Sequence, residues 1–231
     1  MMTDQSPDHI IQGRRMAIAD IAALTATDTP HHLAGCDMEE LSLAERDLTG
    51  WTFERCSLQR ADFRGAKLEG TTWRSCRGGF ASFLGSDLTE ASLISSDFNN
   101  ADFRRSNLAS AVFQGCKLTG ADLSEARMME VRFDETLLIN ARLPSHSFRK
   151  MTLNKIDFSQ ADLRRGDFRA AIFVDCSLRE ANLTNARFEG ADLRGADLGG
   201  LRLMDAAKFR GATISREQAG QLLGELGLNV R

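Results

Sequence analysis

Cys36, Cys56, Cys76, Cys116 and Cys176 are the chain's five cysteines, and every gap between them is a multiple of twenty residues. Thiols in such a series suggest a metal centre or a ladder of disulfides, but the spacing suits neither. A tetrahedral thiolate site needs ligands that converge on one point, whereas this series lays them out in a line. Neighbours one strand spacing apart, about 4.8 Å, also exceed the ~3.8 Å Cβ separation that a disulfide prefers. Buried packing is the expected role, since free cysteine is among the most buried residue types. The four histidines, His9, His31, His32 and His146, show no metal-ligand spacing. The sequence has no phosphate-binding glycine loop, no G-x-S-x-G turn and no H-E-x-x-H pair.

Carboxylates are the remaining candidates for chemistry. Twelve aspartates, among them Asp62, Asp102, Asp122, Asp162 and Asp192, share one position of a five-residue period. Paired acids can transfer protons, but catalytic sites are concave and exclude water. The period places these acids on the solvated outside of a convex body. No catalytic, cofactor-binding or metal-binding residue is therefore assigned, and the chain is expected not to be an enzyme.

The period itself positions every one of these side chains. From Leu33 to Leu203 each fifth residue, 35 positions in all, is Leu (19), Phe (12), Met38, Met128 or Trp73, with Gly78 the exception. Two residues earlier stands a small residue, Ala in 15 cases. Five matches neither the helical period of 3.6 nor the strand period of 2, so the chain must turn a corner at every repeat. Four corners close a square coil of twenty residues. Stacked coils then bury a core that no single coil could form, and about 8.75 coils at the strand spacing make a rod of about 42 Å.

The A(D/N)LXX pattern, unbroken in Ala181-Asn182-Leu183 and from Ala191 to Leu198, resembles the pentapeptide-repeat family. The resemblance implies an all-β solenoid: a right-handed quadrilateral parallel β-helix with short N- and C-terminal capping helices. Three segments are expected. Residues 1–30 carry the N-terminal capping helix, 31–205 the β-helix, and 206–231 a C-terminal helix and tail that serve as a dimerisation module.

At the N-terminus, Ser6-Pro7 reads as a helix start, and Ile10, Ala17, Ile21 and Leu24 recur at helical spacing. One amphipathic helix is predicted over 7–24, covering the open end of the solenoid. After Leu203 the register fails, because the next expected centre is Lys208. Ser215-Arg216-Glu217-Gln218 is a capping box that predicts a helix over 215–226. The ending is similar to that of the Qnr and MfpA quinolone-resistance branch, in which this region joins two rods. That implies a homodimer through Ile214, Leu222, Leu223, Leu226, Leu228 and Val230; an intramolecular cap is the alternative.

Two interior places depart from the repeat. Gly78 leaves a central slot empty, and Phe80 is expected to swing in and fill it. From Met128 to Asp157 the small position holds Val131, Thr136, His146, Met151 and Ile156, and Pro144 is expected to interrupt a ladder bond. This stretch should bend or swell the coil.

A formal charge of −3 and a pI near 5.9 argue against nonspecific nucleic-acid binding. No apolar run approaches a membrane span, and Met1 to Pro7 lacks the features of a signal peptide, so a cytoplasmic location is expected. The Qnr and MfpA resemblance implies binding to type II DNA topoisomerases, gyrase and topoisomerase IV, as a DNA mimic. Mimicry needs an acidic stripe, yet no face of the expected rod sums to more than −3. The alternative is a general protein-interaction scaffold using outward apolar residues: Ile94, Val112, Ile172 and Val174 on one face, Leu137 and Ile139 on the next.

Overall fold

The computed structural model describes residues 10–27, 29–200, 207–225 and 227–229. The chain divides into two compact units, residues 1–117 with 125–132 and residues 118–124 with 133–231. Each is a parallel β-solenoid. The first holds β1 (Ile10–Gln12), α1 (Ile18–Thr25), β2 (His32–Ala34), β3 (Thr52–Glu54), β4 (Thr72–Arg74), β5 (Ser92–Ile94) and β6 (Val112–Gln114). β7 (Arg132–Asp134) opens at the unit boundary. The second unit holds β8 (Thr152–Asn154), β9 (Ile172–Val174), β10 (Cys176–Ser177), β11 (Ala196–Asp197) and α2 (Arg216–Glu225).

From β2 onward the strands of the first unit pair in parallel twenty residues apart, as in Thr52 with Thr72 and Ser92 with Val112. Bridges on the other three sides keep that offset: Arg77 with Asp97, Asp62 with Ser82, and Lys67 with Asp87. The second unit repeats the arrangement through Thr152 with Ile172, Leu137 with Asp157, Asp162 with Asn182 and Ser147 with Asp167. The coil is therefore four-sided.

The five-residue repeat closes because every backbone N–H in it has an acceptor, as the stretch from Ala61 to Gly65 illustrates. Ala61 N donates to Leu58 O (3.0 Å), across the corner. Asp62 N donates to Leu41 O on one neighbouring coil (2.9 Å), and Phe63 N and Gly65 N donate to Ser82 O (2.7 Å) and Leu84 O (3.0 Å) on the other. The fifth N–H, that of Arg64, goes to the carboxylate of Asp62 at 3.1 Å. On three of the four sides the corner is a β-turn whose third residue has positive φ, the type II pattern, and the corner after each strand, as at Arg55 and Ser75, is a bend with the same positive φ. From Gly35 to Gly190 every fifth residue has φ between 48° and 73°.

Inside, identical residues twenty positions apart form ring stacks. Phe63, Phe83 and Phe103 stack at 4.9 and 4.7 Å, and Phe148, Phe168 and Phe188 at 5.0 and 4.8 Å. Trp73, the largest buried side chain, donates its Nε1–H to Thr71 Oγ1 (2.9 Å), which donates to Leu68 O (2.6 Å).

Four expectations need correction. The segment expected to be one helix over 7–24 is a strand and a shorter helix. Ile10–Gln12 pairs with His32–Ala34, because an open solenoid edge offers ladder partners that a helix would forgo. α1 starts only after Ala17, whose N–H donates to the Asp20 carboxylate at 2.8 Å, and Ser6-Pro7 lies outside the described residues. Phe80 does not fill the slot at Gly78, since it is 62% exposed. Its positive φ turns it outward, and Phe98 takes the slot instead: a Cβ on Gly78 would lie 2.4 Å from the Phe98 ring. Pro144 interrupts no ladder bond. It occupies the one position per repeat whose N–H points to a side chain, and proline favours that second place of a type II turn.

The fourth correction concerns the C-terminal register. It resumes one residue late rather than ending, so that Phe209 stacks on Phe188 at 4.7 Å and Thr213 bridges Asp192.

Restoring the repeat at position 78 should therefore weaken the fold. Gly78→Leu is expected to lower stability by about 2 kcal/mol through overpacking against Phe98. Adding Phe98→Leu should recover most of it, as measured by thermal and urea unfolding of the single and double variants.

Candidate protein-binding surface

The aspartates of the repeat are turn fixtures. Asp62, Asp102, Asp162, Asp167 and Asp192 each accept the backbone N–H two residues on. In each case that residue is an arginine whose guanidinium closes back on the same carboxylate. Arg104, for example, places Nε 2.8 Å from Oδ1 and Nη2 2.7 Å from Oδ2 of Asp102. Hydrogen bonding from the arginine holds these carboxyls below the usual carboxylate range, Asp192 down to about 2. Further ion pairs join successive coils: Asp47 with Lys67 (3.1 Å), Arg105 with Glu125 (2.8 Å) and Glu135 with Lys155 (2.7 Å). Exposed pairs of this kind stabilise by at most about 1 kcal/mol each. Their consequence for recognition is larger, because they leave alternating charge where a polyanion mimic needs one sign.

The cysteine column is buried throughout and carries free thiols. Its members also have a bonding role that the sequence reading missed. Four of the thiols donate to the carbonyl of the central residue one coil away, as Cys56 to Leu33 O (3.3 Å) and Cys116 to Leu93 O (3.2 Å), and Cys36 donates to Ile11 O of β1 (3.4 Å). Ser96, in the same column, does likewise to Trp73 O. Interchange of Cys and Ser along one column was the available signal. Burial pushes the Cys116 thiol up to about 11, which leaves it protonated and unreactive at neutral pH. Among the described residues, no group of three or more His, Cys, Asp or Glu side chains could hold a metal ion.

The apolar candidates divide by exposure. Ile172 (46%) and Val174 (38%) stand out from β9, whereas Ile94, Val112, Leu137 and Ile139 are half-buried. Ile94 and Val112 share a face on adjacent strands, as their spacing implies. At the C-terminal end, Ile214, Leu223 and Leu228 are exposed and Leu222 is half-buried; Leu226 and Val230 lie outside the described residues. The capping box is present, with Ser215 N donating to Gln218 Oε1 (2.7 Å) and Gln218 N to Ser215 Oγ (3.1 Å). Gln218 does more than cap. Its Nε2 donates to Leu193 O (2.7 Å) and Ala196 O (2.6 Å), so α2 is fastened to the coil through a polar residue while Leu223 stays exposed. A solvent-open cleft of about 770 Å³ beside α2 is lined by Arg179, Arg194, Asp197, Gln221 and Glu225. Among the described residues no helix is long and apolar enough to cross a membrane.

His146 is the exception to the polar accounting. It stands at a small-residue position with its ring edge-on to Phe148 at 4.5 Å. Its Nε2 is the one buried side-chain nitrogen or oxygen among the described residues without a hydrogen-bond partner. Burial lowers its pKa to about 4.

Residues 86–157 match a family model described as a pentapeptide repeat region, and residues 32–72, 147–179 and 167–200 match the model for pentapeptide repeats in eight copies. No curated protein sequence matches the chain. Among solved structures, full-length QnrB1, a plasmid-mediated fluoroquinolone resistance protein, is 23% identical with a TM-score of 0.54, covering 95% of this chain and 100% of its own. A trypsin-treated variant of QnrB1 gives 22% and 0.54, covering 96% and 99%. HetL, a pentapeptide-repeat protein of heterocyst differentiation from the cyanobacterium Nostoc, is 23% identical with a TM-score of 0.43, covering 82% and 86%.

Neutral His146 favours the folded state, and the unfolded chain binds the extra proton between pH 6.5 and about 4. Stability should thus fall as pH drops through that window, by on the order of 3 kcal/mol from this group. Unfolding of His146→Ala across the same range should show a correspondingly shallower pH dependence.

Proposed function

The chain belongs to the pentapeptide-repeat family, and from that premise we propose that it is a non-catalytic protein that works by presenting its solenoid faces to a protein partner. One observation carries this reading. Many of the outward polar groups are committed to the turns and to one another, as in the Asp102–Arg104 clamp, while discrete apolar side chains such as Ile172 and Val174 stay exposed. Such a surface binds by shape and apolar contact. Self-neutralised carboxylates supply little of the field that would attract a nucleic acid or a small charged substrate.

A second reading names the partner. The match to QnrB1 spans nearly the whole of both chains, and it favours a type II DNA topoisomerase, gyrase or topoisomerase IV. In this reading the contact depends on the form of the solenoid more than on mimicry of DNA charge. The assembly is a homodimer joined at the C-terminus, supported by the exposed Ile214, Leu223 and Leu228 beside a helix already fastened through Gln218. The cytoplasm is the compartment this partner requires.

Titration of the purified protein into a gyrase supercoiling assay, with and without a fluoroquinolone, separates the two readings. Inhibition or drug protection at micromolar protein is the expected result. Leu223→Asp combined with Leu228→Asp should give monomers in light scattering and weaken the effect. No effect of the wild-type protein would remove the topoisomerase and leave the scaffold.

A further inference from the structure

Phe80 is held in an unfavourable place twice over. Its φ is 61°, a region sparsely populated by non-glycine residues and a genuine outlier for bulky ones, and its ring is 62% exposed. Among the described residues with positive φ, it is the only large apolar side chain; the others are glycine, polar or charged residues and Ala170. The third position of a type II turn favours glycine or asparagine. The core gains nothing from the ring, because the slot at Gly78 is filled by Phe98.

Gly79, beside it, is also unexplained by the fold. Its φ is not positive, and an added Cβ would meet nothing closer than Asn99 O at 3.6 Å, an ordinary contact. A side chain would fit there, yet the residue next to Phe80 in the chain carries none. On the same corner one coil away is Arg60, paired with Glu40 at 3.6 Å, and the turn is entered through exposed Arg77. The ring thus stands as an apolar knob next to a residue without a side chain, with Arg77 as its cationic neighbour. Strain and exposure retained together at one residue point to a role outside folding.

We propose that Phe80 is a partner-binding residue, inserting into an apolar pocket with an acidic rim on a protein partner. Aromatic anchors of this type dominate the energetics of protein interfaces. The inference rests on the surface-acting reading above, with gyrase as the probe.

The test compares wild type, Phe80→Asn and Gly79→Gln for thermal stability and for binding to immobilised gyrase holoenzyme. Asparagine tolerates the left-handed turn, so Phe80→Asn should hold or raise Tm while weakening binding at least tenfold. Gly79→Gln should leave Tm within about 2 °C and weaken binding several-fold by adding a side chain next to Phe80. A fall in Tm of more than about 3 °C for Phe80→Asn would make the residue structural and overturn the inference. Unchanged binding by Phe80→Asn, with wild type bound, would overturn the inference alone. Absence of wild-type binding would overturn both the inference and the topoisomerase reading.

Discussion

Everything in this protein depends on the corner turn and on the acceptor found there for its spare N–H. A chain that turns every five residues cannot satisfy its backbone with ladder bonds alone, since an unpaired buried amide costs as much as a lost hydrogen bond. On the sides that end in a β-turn, coil-to-coil bonds take three of the five donors and the turn takes a fourth. The last is taken by the side chain that precedes the central apolar residue, as Asp62 does for Arg64 and Asn182 for Thr184. The preference for Asp or Asn at that position follows from this geometry, because their short side chains reach an N–H two residues on.

The period, the square coil, the buried cysteine column and the C-terminal capping box were legible in the sequence, because each rests on spacing alone. What was hidden required knowledge of where backbone groups point. The aspartates looked like candidate acids until their N–H partners were visible. Pro144 looked like a defect, but it occupies the site where a missing N–H matters least. Ile10 fitted a helical stripe by composition, and the edge of the first coil decided otherwise by offering it a ladder. The exchange of Phe80 for Phe98 at Gly78 turned on the sign of φ at a corner.

The same accounting shapes what the surface can do. Carboxylates tied to the turn and then clamped by arginine give the faces alternating charge. At the end of the C-terminal unit Gln218 does the fastening, Leu222 is half-buried, and Leu223 and Leu228 stay exposed. His146 is the one place among the described residues where the core carries an unpaired polar atom, and there acid should find its weakest point.

The central claim is that the repeat aspartate acts as a turn acceptor first and as an ion-pair partner second. Amide hydrogen exchange at Arg104 and global stability, compared between Asp102→Asn and Asp102→Ala, test it most directly. Asparagine keeps the acceptor and loses the charge, so it should stay within a few tenths of a kcal/mol of wild type, with slow exchange retained. Alanine should lose about 1 kcal/mol and expose the Arg104 amide to exchange roughly tenfold faster. Equal losses for the two variants would contradict the account and make charge, not the turn, the reason for the aspartate.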